Sequence, residues 1–138
     1  MGDMMKEYVF LRINDKFKNL FSGGNVISFL ELYHRKEESV FYKQQFRLFL
    51  EKNKEKEIVQ YLKNRLTNRE ELSVNVNQLT LINSFYNSKE VLELNDNYLL
   101  LKGEFDKSIF SKYLSEYDSE FLRIDLNNNK IERLALVN

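Results

Sequence analysis

"VLELNDNYLLLKG", Val91–Gly103, is the stretch on which the fold turns. Two runs of strand composition flank Asn95-Asp96-Asn97, and turn formers between two such runs make a hairpin. A hairpin joins antiparallel neighbours, whereas parallel strands need a long crossover. Just upstream, "LSVNV", Leu72–Val76, alternates strictly and predicts a half-buried strand, and "LTLINSF", Leu79–Phe85, continues in the same composition. Downstream, "DKSIFSKYLSEY", Asp106–Tyr117, changes period: Ile109, Phe110, Tyr113, Leu114 and Tyr117 form a helical stripe, with Phe105 placed as a staple before it. "EFLRIDLNNNKIERLAL" closes as a second hairpin, with Leu122, Ile124 and Leu126 inward and "NNNK" at the turn.

The first half reads mostly as helix. "YVFLRI", Tyr8–Ile13, is the exception: Val9, Leu11 and Ile13 make one apolar face while Tyr8 and Phe10 begin the other, which predicts a strand covered on both sides. Asn14 or Asp15 can cap the short helix that follows, and "SGGN", Ser22–Asn25, stops it. Val26, Phe29, Leu30 and Tyr33 mark a second helix, and Tyr42, Phe46, Phe49 and Leu50 a third over Ser39–Leu50. "EKNKEKE", Glu51–Glu57, has no apolar residue and is a connection or a solvated helical turn. Helical spacing resumes through Ile58, Tyr61 or Leu62, and Leu66. The order predicts an α+β chain, one domain over residues 1–138, with a mostly antiparallel sheet and helices packed against it.

Composition narrows the function classes. The 138 residues include 21 Lys plus Arg and 21 Asp plus Glu, so formal net charge is zero. Such a chain has no general attraction to nucleic acid or anionic membrane. Without cysteine it has neither disulfides nor thiolate metal ligands. The apolar run near the start is too short for a signal peptide, and none approaches a membrane span, so a soluble cytoplasmic protein is expected.

Catalytic chemistry has few candidates. His34, the single histidine, stands beside Arg35 and Lys36 with no orienting partner in sequence. No spacing of His or acids matches a zinc or calcium site. The Gly pair of "SGGN" joins two helices rather than a strand and a helix, so it reads as a helix stop, not a phosphate loop. Lys52, Lys54 and Lys56 alternate with Glu51, Glu55 and Glu57, so their field largely cancels. No cofactor, metal or small-molecule substrate is expected.

"DKFKNLFSGG", Asp15–Gly24, places Phe17, Leu20 and Phe21 on one helical face. An apolar stripe is normally buried, yet two large aromatics on a two-turn helix are also typical interface anchors. The pattern admits both readings.

At these residues the chain resembles the SirA family, the sporulation inhibitors of replication of Gram-positive bacteria. "YVFLRINDKFKNLFSGG", "VISFLELY", "KQQFRLF", "NRLTNREELSVN" and the run from "NDNYLLLKG" to "IERLAL" are similar to successive parts of the family, in order, over nearly the whole chain. The resemblance implies a non-enzymatic inhibitor that binds the N-terminal domain I of DnaA, the replication initiator, with no direct nucleic-acid contact. It also implies a partner surface built from Phe17, Phe21 and Gln45, with Gln44 the neighbouring candidate. The family usually carries Tyr where Phe21 stands, and a Pro-containing segment where "EKNKEKE" stands. A small nucleic-acid-binding or other regulatory interaction module is the alternative.

Overall fold

A computed structural model of the chain describes residues 6–14, 16, 31–68, 70–84, 88–103, 108–118, 121–126, 128 and 130–133. Among the described residues seven strands form one antiparallel sheet: β1 Lys6–Leu11, β2 Glu70–Asn75, β3 Gln78–Asn83, β4 Ser88–Leu94, β5 Leu99–Gly103, β6 Leu122–Asp125 and β7 Lys130–Arg133. Their order across the sheet is β2-β3-β4-β5-β1-β6-β7. The helices used below are α1 Val40–Leu48, α2 Glu55–Arg65 and α3 Ile109–Tyr117. The expected α+β class and antiparallel sheet are both present.

β1 holds the centre, between β5 and β6. Its two apolar faces enter two different cores. Tyr8 and Phe10 join Leu79, Leu81, Leu92, Leu99 and Leu101 of the sheet under Ile58 and Leu62 of α2 and Phe110, Tyr113 and Leu114 of α3. Val9, Leu11 and Ile13 join Ile124 on the opposite face, under Tyr33, Phe46 and Leu50. Helical residues therefore cover both sides of the central strands.

The element ends follow local chemistry. Asn14 Oδ1 accepts a hydrogen bond from the Lys16 N–H at 3.0 Å, an Asx turn; the short helix expected after it lies outside the described residues. The helix expected over Ser39–Leu50 is shorter: Ser39 caps it by accepting from the Tyr42 N–H at 3.2 Å, and it ends at Leu48. Leu50 has left the helix to bridge Ile13 beyond the end of β1. The Asn14 N–H donates to the Phe49 carbonyl and the Glu51 N–H to the Arg12 carbonyl, at 2.8 and 2.9 Å. "EKNKEKE" resolves into a connection over 51–54 and the start of α2. Asn53 docks the connection on the β4–β5 turn, its backbone N–H donating to the Asp96 carbonyl and its Nδ2 to that of Asn95.

Glu90 is the buried charge of the sheet. It lies on the helix-covered face of β4, and its carboxylate accepts from the Ser108 hydroxyl and from the N–H groups of Ile109 at 2.8 Å and Phe110 at 3.4 Å. The carboxylate thus closes the N-terminus of α3, where its charge complements the helix dipole. Burial still raises its pKa, against the lowering effect of those three bonds. Gly103 lies opposite Glu90 in the β4–β5 ladder, and a Cβ there would stand 3.3 Å from Glu90 Cγ, so the residue type leaves room for the carboxylate.

β2 departs from the half-buried strand expected of "LSVNV". Leu72 is partly buried, but Val74 is half exposed and Val76 lies in the turn after the strand, almost fully exposed. α3 reaches the start of β2, where the Tyr113 hydroxyl donates to the Glu70 carboxylate at 2.8 Å, but toward the turn, at Val74 and Val76, alternation does not translate into burial.

Candidate docking face

The residues expected to bind a partner divide between two segments. Phe17 and Phe21 lie outside the described residues, as does the "SGGN" stop. Gln44 and Gln45 lie on α1, which the bonds at residues 12–14 and 49–51 tie to the end of β1.

Only Phe46 of α1 is fully buried, where it meets the Tyr33 and Tyr98 rings edge-on at 5.6 and 5.8 Å. A helix turns about 100° per residue, so the side opposite Phe46 carries Val40, Gln44 and Leu48, with Phe41 beside them. Three of these are apolar residues left mostly exposed: Val40 is 72% exposed, Phe41, edge-on to the Tyr42 ring at 5.7 Å, 63%, and Leu48 53%. Gln44 is exposed in their midst, and Gln45 is half-buried on the flank, one turn from Phe41 and from Leu48. Arg35 stacks its guanidinium 4.3 Å above the Tyr42 ring and pairs with Glu38 at 3.2 Å, bracing the N-terminal end of the face.

On the other flank of α1 lies a cleft of about 350 Å³, floored by Phe46 and lined by Lys36, Lys43, Arg47, Asp96, Asn97 and Tyr98 among others. Its charges are mixed: Lys36 Nζ lies 3.9 Å from Glu37 and Arg47 the same distance from Asp96. Lys36 is sunk between two rings, 4.1 Å from the Tyr33 centroid and 5.4 Å from that of Tyr98. Burial lowers its pKa, and the nearby Lys43 adds to that effect. Burial also raises the pKa of both tyrosines. This arrangement holds a cation over aromatic faces, a packing contact that ties the segment before α1 to Tyr98 at the start of β5.

His34 is exposed, its ring edge-on to Tyr33 at 5.5 Å. Among the described residues no three His, Cys, Asp or Glu side chains gather where they could hold a metal ion. None of their helices is long and apolar enough to cross a membrane.

The sequence reading missed Val40, Phe41 and Leu48. It followed the stripe through Tyr42, Phe46, Phe49 and Leu50, of which Phe46, Phe49 and Leu50 pack into the core while Tyr42 lies under Arg35. The signal was available: Phe41 and Leu48 stand seven residues apart, two turns on one face, well off that stripe. Apolar residues left over once a helix has filled its buried side mark a second face. In comparison with known proteins, the chain matches no family model and no curated protein.

Proposed function

We propose that this chain is a non-enzymatic inhibitor of replication initiation, docking on domain I of DnaA through the outer face of α1 together with Phe17 and Phe21. The observation that carries the proposal is the exposed set Val40, Phe41, Gln44 and Leu48 on a helix anchored at its C-terminal end. Apolar anchors around an amide suit a helix laid into a partner's groove, where the anchors supply affinity and the amide supplies register. The resemblance to the SirA family supplies the partner, and it converges on the same helix through Gln44 and Gln45. Such an inhibitor acts in the cytoplasm, at the chromosomal origin, and needs no cofactor.

Calorimetric titration of the purified chain with its host's DnaA domain I tests the proposal. Saturable binding without DNA, retained as salt is raised, is the expected result. Absence of binding overturns it. So does tight binding of an origin duplex without DnaA that collapses with salt, because phosphate contacts then carry the affinity.

A further inference from the structure

The two edges of the sheet are built differently. β7 is a four-residue strand, Lys130-Ile131-Glu132-Arg133, with charge at three positions. Charge at these positions discourages another strand from pairing. β2 has six residues and confines its charge to Glu70 and Glu71. From Leu72 to Asn75 it has no charge, proline or glycine, and its register with β3 runs unbroken from Glu70↔Asn83 to Asn75↔Gln78. Leu72 and Val74 pair with Leu81 and Leu79, so they share the face of the α2–α3 core. Val74 is nonetheless 50% exposed and Val76 92%. Leu72 packs on that core and Glu70 accepts from the Tyr113 hydroxyl, so it is the turn end of the stripe, at Val74, that lies open at the edge of the sheet.

We propose that β2 is a self-complementary interface through which two copies of this chain pair edge to edge, continuing one sheet across a two-fold axis. Charge and register select this occupant. Antiparallel pairing about Ser73 sets Leu72 against the partner's Val74, Glu71 against the partner's Asn75 and Glu70 against the partner's Val76. The apolar stripe meets itself, and each acidic end meets an uncharged one. In-register parallel pairing would set Glu70 and Glu71 against their equals, and like charges directly opposite are destabilising. Among the described residues β7 has no such uncharged run, so pairing of β2 with Lys130–Arg133 is disfavoured.

Sedimentation of the full chain over a concentration series should show a monomer–dimer equilibrium. Val74→Lys sets a lysine against the partner's Leu72, and should leave a monomer with the parent's circular dichroism. The chain has no cysteine, so Ser73→Cys introduces a single thiol. Directly opposite residues of an antiparallel pair have Cβ atoms about 4.5–5.5 Å apart, close to the span a disulfide needs. Mild oxidation should therefore cross-link Ser73→Cys as a dimer and leave Asn75→Cys uncross-linked. A monomeric mass at every concentration overturns the proposal, as do assemblies that grow beyond the dimer or Asn75→Cys cross-linking as readily as Ser73→Cys. Should Val74→Lys fail to fold, the two cysteine variants decide the matter.

Discussion

Phe41→Ala and Phe46→Ala remove the same ring from the same helix, and their consequences should separate completely. Phe46 is 1% exposed and packs between Tyr33 and Tyr98. Its truncation leaves a cavity in the smaller core and costs about 3–5 kcal/mol of folding stability. For a domain of this size that lowers the thermal midpoint by roughly 10–20 °C. Phe41 keeps most of its surface in water. Burying a Phe fully contributes about 1.5–3 kcal/mol, and the covered third of Phe41 contributes about 0.5–1 kcal/mol, a shift of only a few degrees. In binding the order reverses. An aromatic anchor at the centre of an interface costs about 2 kcal/mol or more when truncated, roughly a thirtyfold loss of affinity. Phe46→Ala, assayed well below its own midpoint, should bind DnaA domain I within a few-fold of the parent. Differential scanning calorimetry reads the first quantity and titration of domain I the second. A Phe41→Ala chain that melts as low as Phe46→Ala, or that binds domain I undiminished, would refute the claim that this face is offered to a partner.

The two glutamines should differ. Gln44→Ala, at the centre of the exposed face, should weaken binding by about 0.5–1.5 kcal/mol, and Gln45→Ala by less because its side chain is already half covered; titrations unmoved by either exclude α1 from the interface. Phe17→Ala should cost as much binding as Phe41→Ala if the resemblance to the family holds at that position. Glu90 gives a pH prediction: its native pKa is raised above the ordinary value of 4.5, chiefly by burial. Above that ordinary value the unfolded chain loses the proton first, so the native state holds more protons and Glu90's contribution to stability falls as pH rises through the window up to the raised value, then stays level. The difference in unfolding free energy between parent and Glu90→Gln, measured in urea from pH 4 upwards, should fall across that window, and a difference that rises there would reverse the assignment.

Periodicity revealed most of the architecture and little of the long-range pairing. β4, β5, β6 and β7 were legible because alternating runs flank turn-forming Asn and Asp, a signal confined to a dozen residues. The two faces of β1 were legible for the same local reason. Its position between β5 and β6 was not, because a pairing across most of the chain is decided by which surfaces meet after collapse. Glu90 read as one of the polar positions of a strand. Its inward direction makes sense only once the N-terminus of α3 arrives beside it to supply three donors. Val74 shows the opposite case: the alternation holds, but burial needs a covering layer, and the contacts from α3 and its core reach Glu70 and Leu72 while Val74 stays half exposed. On α1, Gln44 and Gln45 stand out only through the resemblance to the family, and Val40, Phe41 and Leu48 do not show in a period that marks the buried stripe alone.

The surplus on α1 bears on function because the fold does not use it. The helix has nine residues and buries one. Its place is secured by that one residue and its ends: Phe46 against the Tyr33 and Tyr98 rings, the Ser39 cap at its start, and backbone bonds to Arg12 and Asn14 just past its end. Val40, Phe41 and Leu48 could each be polar without loss to the core, and a surface free of other demands favours charge at such positions for solubility. Scattered singly, exposed apolar residues need no explanation. Three on one side of one short helix, around an amide and on an immobilised backbone, form a preorganised face that loses little freedom when covered. That economy suits a protein whose role is to occupy another's surface. Replacing Val40, Phe41 and Leu48 together by Ser, Lys and Lys should accordingly leave the thermal midpoint within a few degrees of the parent while abolishing domain I binding; a triple variant that unfolds would show instead that the face supports the fold.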